Sequence, residues 1–183
     1  MTLKPFGGTG VPLERQWKIL ENIKTDPLGS YVFSGPPGVG KTTLLRGVER
    51  LARAACPKNH AVYARTATQY QREVTAAARG ERVTVVKPDS LDNGWGIRWS
   101  IFIDDFDKVT GTEFIRIQLH DLIDAIVKPR TPSTQLVLST NMNKAEFSKF
   151  FGDAIAWRVF QHCHWVAMER EGYGNHAEKQ TKI

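Results

Sequence analysis

The sequence predicts an α/β fold in which helices cover both faces of a central, mainly parallel β-sheet. Short apolar runs alternate with segments of helical periodicity along most of the 183 residues, and such alternation is typical of a parallel sheet between helical layers. A Gly-rich loop separates the apolar run 31–33 from the helical segment 42–55. A second apolar run, 99–103, ends in two adjacent carboxylates, which predicts polar chemistry at the end of a buried strand.

Each element follows from the spacing of its apolar side chains. Apolar residues at helical spacing predict helices over 12–24, 42–55, 66–79, 112–127, 144–151 and 154–160. Apolar or β-branched runs predict strands over 31–33, 60–64, 82–86, 99–103, 135–138 and 164–168. We therefore expect an N-terminal arm and helix over 1–30, a single core over 31–171 and a flexible polar tail over 172–183.

The composition is that of an ordinary globular chain with a basic surplus. Hydrophobic residues make up 41% and charged residues 24%, and no apolar run approaches the length of a membrane span. The first residues lack the apolar segment of a signal peptide, and Cys56 and Cys163 do not suggest a disulfide framework, so we expect a cytoplasmic protein. The net charge of +6 favours a polyanionic partner such as nucleic acid, although a merely basic globular protein has the same charge.

Residues Gly35 to Thr42 match the phosphate-binding pattern G-x-x-x-x-G-K-[ST] at every position. Glycines let backbone N–H groups turn toward phosphate oxygens, and the helix that follows presents its positive end to the same anion. We expect Lys41 to reach the β- and γ-phosphates, as a binding and a catalytic residue, and the Thr42 hydroxyl to ligate Mg²⁺. The predicted cofactors are therefore ATP and Mg²⁺. The predicted nucleotide-binding residues are Gly35, Pro36, Pro37, Gly38, Val39, Gly40, Lys41, Thr42 and Thr43.

Acidic and amide side chains at two other strand ends supply groups that hydrolysis needs. Asp104 and Asp105 follow the second apolar run. Asp104 would hold Mg²⁺, usually through water, and Asp105 would orient or deprotonate the attacking water. Asp107 fits a turn residue or a helix cap better than a catalytic group. Asn141 follows a later strand, where it either positions the attacking water beside the γ-phosphate or forms a turn.

Five segments carry a family resemblance: G-P-P-G-V-G-K-T-T, A-V-Y-A-R-T-A-T-Q-Y, I-F-I-D-D-F-D-K, L-V-L-S-T-N-M-N and F-G-D-A-I-A-W-R-V-F. In these segments the chain resembles the AAA+ ATPases, and within them the DnaC/IstB group of helicase loaders and transposition ATPases. The resemblance spans roughly residues 6 to 168. It implies a P-loop NTPase fold of three layers, a reduced or absent C-terminal lid, and a segment within residues 1–30 that passes near the adenine.

The resemblance also implies roles for single residues. Asn141 corresponds to sensor one, and Arg158 to an arginine finger that completes the ATP site of a neighbouring subunit in a ring, spiral or filament. An exposed arginine on an amphipathic helix is the alternative interpretation of Arg158. Asp105 stands where relatives often have Glu, and this shorter side chain predicts slow hydrolysis.

DNA is a further partner that the resemblance implies, since these ATPases form rings or spirals around DNA. The start of the helix 66–79 would then hold a backbone phosphate, a contact that carries no sequence information and weakens with salt. The predicted DNA-contacting residues are Arg65, Thr66, Thr68, Arg72 and Lys108, each of which could equally lie on a solvated face.

We therefore expect a DNA-associated, oligomeric, Mg²⁺-dependent ATPase that loads or recruits a replicative helicase. The same motifs fit an ATPase that targets or regulates a transposase. They also fit an ATP-switched DNA scaffold in which Asp105 supports little hydrolysis. A small-molecule kinase of similar length is a fourth possibility, but it would have no need of Asn141 or Arg158.

Overall fold

The computed structural model describes residues 13–55, 59–91, 97–109, 113–127 and 134–169. In these ranges the helices are α1 (Leu13–Lys24), α2 (Lys41–Ala55), α3 (Ala67–Ala78), α4 (Pro88–Leu91), α5 (Glu113–Val127), α6 (Lys144–Phe151) and α7 (Asp153–His162). The strands are β1 (Tyr31–Ser34), β2 (His60–Thr66), β3 (Arg98–Asp104), β4 (Gln135–Thr140) and β5 (His164–Ala167). A 3₁₀ turn, Phe106–Lys108, follows β3.

The strands form one parallel sheet in the order β2-β3-β4-β1-β5. β1 pairs with β4 on one side and with β5 on the other, and β3 pairs with β2 and β4. Because all these pairs are parallel, the carboxyl ends of the strands meet at one edge of the sheet. β4 lies between the strand that enters the Gly-rich loop and the strand that ends in Asp104. Asn141, directly after β4, is therefore brought to the middle of that edge.

Helices pack on both faces of the sheet and form two separate cores. Val32 of β1 packs into one core, whereas Tyr31 and Phe33 pack into the other, because successive side chains of a strand point to opposite faces. β3 and β4 alternate in the same way. The first core is completed by α3, α5, α6 and α7, and the second by α1 and α2. This three-layer α/β arrangement confirms the predicted fold class.

The predicted strand over 82–86 is wrong. These residues form neither helix nor strand, and residues 81–84 are all exposed. Val86 is buried in the first core, but Val83 is 38% exposed. A strand is stabilised by a continuous apolar face, and one buried valine does not provide it.

Four strands, β1 to β4, are longer than their apolar runs predict. β2 and β4 each extend two residues past their predicted ends, to Thr66 and Thr140. Ser139 and Thr140 are fully buried and stay paired with β1, so their polar side chains lie inside the sheet edge rather than in a loop. This extension carries buried hydroxyl groups into the neighbourhood of the Gly-rich loop.

Several predictions concern residues outside the described ranges. These are the arm before residue 13, the tail over 172–183, and the part of the chain in which a C-terminal lid would lie. Among the helices described here, none has the length and apolar character needed to cross a membrane.

Candidate nucleotide site

The loop 35–40 connects β1 to α2 at the carboxyl edge of the sheet. Its first residue, Gly35, has a φ of 152°, and a Cβ atom there would lie 2.1 Å from the carbonyl oxygen of Met168. No side chain fits at that separation, so this position requires glycine. The Gly35 N–H donates to the carbonyl oxygen of Thr140 at 3.2 Å. The loop is thereby fixed where β1, β4 and β5 end.

Lys41, the first residue of α2, folds back under the loop. Its Nζ donates to the carbonyl oxygens of Gly35 and Pro36 at 2.7 and 2.8 Å, and to Oδ1 of Asn141 at 2.8 Å. These contacts use all three N–H groups of the ammonium. The side chain is 7% exposed. The cation is therefore already held between the loop and the residue that follows β4.

The charged groups around Lys41 come from the end of β3 and the turn that follows it. Burial lowers the pKa of Lys41, while the carboxylates of Asp107, Asp105 and Asp104 act in the opposite direction, and Lys108 adds to the lowering. Two ammonium groups thus face three carboxylates. A triphosphate would meet net repulsion in this cluster unless a divalent cation accompanied it.

Thr42 and Asp104 form the second contact across the site. Thr42 Oγ1 donates to Asp104 Oδ1 at 3.0 Å, and the buried Ser139 hydroxyl donates to the same oxygen. A carboxylate and a hydroxyl suit Mg²⁺, which binds few protein oxygens and keeps water and phosphate as its other ligands. Among the described residues, no group of three or more His, Cys, Asp or Glu side chains could hold a metal ion. The donors present therefore fit Mg²⁺ that arrives with a nucleotide.

Ser139 is a site residue that the sequence did not reveal. Besides its bond to Asp104, its Oγ accepts from the Asp105 backbone N–H at 2.8 Å. It lies 35 positions from Asp104 along the chain. In the sequence, Ser139 belongs to a polar run that follows the predicted strand 135–138, and such a run by itself indicates a turn rather than a buried partner.

Asp105 has the single left-handed backbone conformation of a non-glycine residue in the described ranges, with φ 55° and ψ 47°. Such a conformation is uncommon outside glycine and recurs at functional sites. Its Oδ2 lies 2.6 Å from Lys108 Nζ, with the side chains 34% and 58% exposed. The hydrogen bond that Lys108 donates to Asp105, together with the negative charge of Asp105, raises the pKa of Lys108. The candidate catalytic carboxylate is thus held by a neighbouring cation.

Asp107 lies in the 3₁₀ turn after β3, as predicted, and also contacts Asn141 through both carboxylate oxygens. Oδ1 accepts from the Asn141 backbone N–H at 2.8 Å, and Oδ2 accepts from Asn141 Nδ2 at 2.7 Å. Because Nδ2 is engaged in this way, Oδ1 of the amide faces Lys41. Asp107 therefore sets the orientation of the Asn141 side chain.

Arg158 lies on α7 and forms an ion pair with Asp124 of α5. Its side chain is 43% exposed, and that of Asp124 is 19% exposed. Within the single chain, Arg158 is thus engaged at the surface of the α5–α7 pair and not with the phosphate loop. Its role as an arginine finger stays a prediction.

Of the five residues predicted to contact DNA, three have local partners and two are exposed on α3. Arg65 donates from Nε to Glu73 and from Nη1 to the Ala64 carbonyl oxygen, and its guanidinium lies 4.8 Å from the centre of the Tyr63 ring. Thr66 caps α3 in a reciprocal pair of hydrogen bonds with Gln69.

Lys108 pairs with Asp105, whereas Thr68 and Arg72 are exposed on α3. Local partners therefore engage Arg65, Thr66 and Lys108, and DNA contact by all five residues stays a prediction.

Solved structures of replication proteins resemble this chain. The DnaC helicase loader is 14% identical, with coverage of 89% of this chain and 93% of that protein and a TM-score of 0.60. DnaI is 13% identical, with coverage of 90% and 88% and a TM-score of 0.58. The replication initiator DnaA, solved with AMPPCP and single-stranded DNA, is 17% identical with a TM-score of 0.58. No protein-family model matches the sequence, and no curated protein does.

Coverage differs among these structures. The DnaA match covers 89% of this chain but only 47% of the DnaA chain, so this chain spans about half the length of that structure. At such identities the likeness concerns the fold. The chain therefore shares the fold of these replication proteins over nearly its whole length.

Proposed function

We propose that this chain binds ATP with Mg²⁺ and hydrolyses it as a DNA-associated AAA+ ATPase. The observation that carries this proposal is the meeting of three strand ends at one point. Lys41 contacts Asn141 at 2.8 Å across 100 positions of sequence, and Thr42 contacts Asp104 at 3.0 Å across 62. The AAA+ fold supports the proposal, because it is a fold of nucleotide-binding proteins such as the AMPPCP-bound DnaA.

Lys41 would exchange its carbonyl partners for phosphate oxygens when a nucleotide binds. Phosphate oxygens carry negative charge whereas carbonyl oxygens are neutral, so the ammonium gains Coulombic attraction in the exchange. Thr42 and Asp104 would hold Mg²⁺, which when bound neutralises charge on the phosphate oxygens. Ser139 keeps the Asp104 carboxylate in place by donating to the oxygen that Thr42 also contacts.

Asp105 would take the proton of the attacking water, and Asn141 would position that water. For this role the Asp105 carboxylate has to leave Lys108. Both side chains are partly exposed, and exposed ion pairs contribute only about 0–1 kcal/mol. An anionic partner that attracts Lys108 would therefore release Asp105 at small cost.

Arg158 would act on the ATP of a neighbouring copy, where its guanidinium stabilises charge on the transferring phosphoryl group. It would exchange Asp124 for that phosphate on assembly. We propose that the assembly forms on DNA and loads or recruits a replicative helicase, which the likeness in fold to DnaC and DnaI supports. Co-sedimentation with the replicative helicase, with and without ATP, tests that partner.

Hydrolysis is tested with Asp105→Asn against the matched control Asp89→Asn, an exposed carboxylate on α4. Loss of a general base lowers the rate by about 10²–10⁴-fold, so Asp105→Asn should lose turnover while it retains ATP affinity. Asp89→Asn should behave as the wild type. Equal turnover in Asp105→Asn and the wild type would contradict the role of Asp105.

The contact between Lys108 and Asp105 favours one alternative, an ATP-switched DNA scaffold with little hydrolysis. In this contact, the Lys108 ammonium engages Oδ2 of the candidate base at 2.6 Å. ATPase rates and particle sizes, measured with and without DNA, separate the two functions. Turnover near zero together with ATP-dependent assemblies supports the scaffold, whereas DNA-stimulated turnover supports the ATPase.

A further inference from the structure

A groove of about 400 Å³ runs between α2 and the β2–α3 junction. Arginine side chains form much of its wall. They are Arg46, Arg50 and Arg53 from α2, and Arg65 from β2. Thr66 and Gln69 line the opposite side, and Asp104 lies at one end. The groove therefore borders the candidate Mg²⁺ site but is distinct from the phosphate loop.

The three arginines of α2 share one face of that helix. Arg46, Arg50 and Arg53 follow Thr42 by four, eight and eleven positions, a spacing that places side chains on the same side of an α-helix. At 1.5 Å per residue, the row from Arg46 to Arg53 extends over about 10 Å. The opposite face of α2 is apolar and buried against the sheet, so the row can only face outward into the groove.

Arginines outnumber carboxylates in the groove lining. Arg53 pairs with Glu49 through Nε at 2.9 Å and Nη2 at 2.8 Å, and Arg65 pairs with Glu73 outside the groove lining. Arg46 is exposed and forms no hydrogen bond or ion pair within the described part of the chain. The groove lining thus holds four guanidinium groups and two carboxylates, Glu49 and Asp104, and Glu73 pairs with Arg65 from outside the lining.

We propose that this groove binds the sugar–phosphate backbone of a nucleic-acid strand. The inference deepens the proposed function, since it assigns the DNA partner of that function to a surface formed chiefly by the phosphate-loop helix. Planar guanidinium groups bind phosphate oxygens through paired hydrogen bonds. A row about 10 Å long fits successive phosphates of a strand better than a single small anion, which a compact cradle would surround.

The groove differs from other basic surfaces because it lies beside the candidate Mg²⁺ site. Asp104 forms its end and accepts the Thr42 hydroxyl, so a bound strand would lie against the carboxylate that we assign to Mg²⁺. The contacts are to phosphate and carry no base information, so binding is expected to depend on salt rather than on sequence.

The test is the salt dependence of binding to a fluorescent single-stranded DNA oligonucleotide. The variant Arg46→Gln/Arg53→Gln removes two charges from the groove and keeps much of each side-chain stem. The matched control, Arg79→Gln/Arg82→Gln, removes two charges from exposed residues after α3. Each lost phosphate contact should lower the slope of log K against log[salt] by about 0.7 for a single strand. The groove variant should therefore lose about 1.4 in slope, or roughly 25-fold in affinity at 0.1 M salt.

Several outcomes would overturn the inference. They are an absence of oligonucleotide binding by the wild type, equal slopes for the groove variant and the control, and inorganic pyrophosphate binding the groove as tightly as the oligonucleotide. ATP binding and DNA-free hydrolysis are measured on the same preparations. Normal hydrolysis with an unchanged slope would refute the groove alone, whereas a lowered slope without any hydrolysis by the wild type would refute the ATPase alone.

Discussion

Asp107 holds the Asn141 amide through two hydrogen bonds, and Asp107→Asn should disturb that amide without touching the phosphate loop. The carboxylate accepts from the Asn141 backbone N–H at 2.8 Å and from its Nδ2 at 2.7 Å. An asparagine at position 107 has one oxygen and one NH₂ group. It can therefore accept only one of the two hydrogen bonds, and its NH₂ group faces another donor.

The expected magnitude follows from these contacts. A hydrogen bond to a charged group contributes about 1.5–3 kcal/mol, which corresponds to roughly 10- to 150-fold in rate. Because we propose that Asn141 acts on the attacking water, the loss should appear in kcat, whereas any change in KM for ATP should be a decrease, since one carboxylate near Lys41 loses its charge. Steady-state ATPase measurements at several ATP concentrations give both constants. Asp89→Asn is the matched control for a change of carboxylate to amide at an exposed position.

A double-mutant cycle separates positioning from general destabilisation. If Asp107 acts through Asn141, then Asp107→Asn should have no further effect on kcat in a chain that already carries Asn141→Ala. Additive losses in kcat, or a kcat equal to the wild type in the single variant, would refute the assignment of Asp107 as the residue that orients Asn141.

Three further predictions concern stability and assembly. Gly35→Ala places a Cβ atom 2.1 Å from the Met168 carbonyl oxygen, so it should lower the unfolding temperature. Gly80→Ala is the control and should lower it less, because a Cβ atom there meets no neighbour and only left-handed strain of about 1–2 kcal/mol arises. Burial lowers the pKa of His162, so its contribution to stability is complete above about pH 6.5 and is lost as the pH falls toward the lowered value. Urea titrations should accordingly show a weaker pH dependence in His162→Gln, and an unchanged dependence would contradict this. Arg158→Ala should retain ATP binding but lose DNA-stimulated turnover, and full activity of the wild type as a dilute monomer would exclude a role in a neighbouring site.

The fold could be predicted because it depends on local patterns. Apolar runs and helical spacing are read over a few residues, and the phosphate-loop motif requires a strand before it and a helix after it. The run 82–86 has the composition of a strand, but it lacks the second buried side chain that would hold it in a sheet. The spacing of apolar residues in the sequence does not show which of them will be buried.

The contacts that organise the candidate site could not be predicted in the same way. Ser139 meets Asp104, and Asn141 meets Asp107, across 35 and 34 positions of sequence. These pairs exist because β4 lies between β1 and β3, an order that only the folded sheet determines. A polar residue that looks like a turn former in the sequence therefore becomes a positioning residue in the structure.

The availability of the basic residues for DNA also depends on partners that only the folded chain reveals. Arg65 looks available for DNA in the sequence, but it contacts Glu73 eight positions later. The α2 arginines did not stand out, because they alternate with the apolar residues of an ordinary amphipathic helix. Their grouping becomes visible only once α3 forms the other wall of the groove.

We propose that Lys41, Thr42, Asp104 and Asn141 form one Mg²⁺-dependent ATP site, and ATP hydrolysis by Lys41→Met tests this directly. The matched control is Lys87→Met, which removes an exposed lysine before α4. We predict Mg²⁺-dependent hydrolysis by the wild type and by Lys87→Met, and a loss of at least about 100-fold in Lys41→Met. Hydrolysis by Lys41→Met at the wild-type rate, or a wild-type chain that neither binds nor hydrolyses ATP, would contradict the claim.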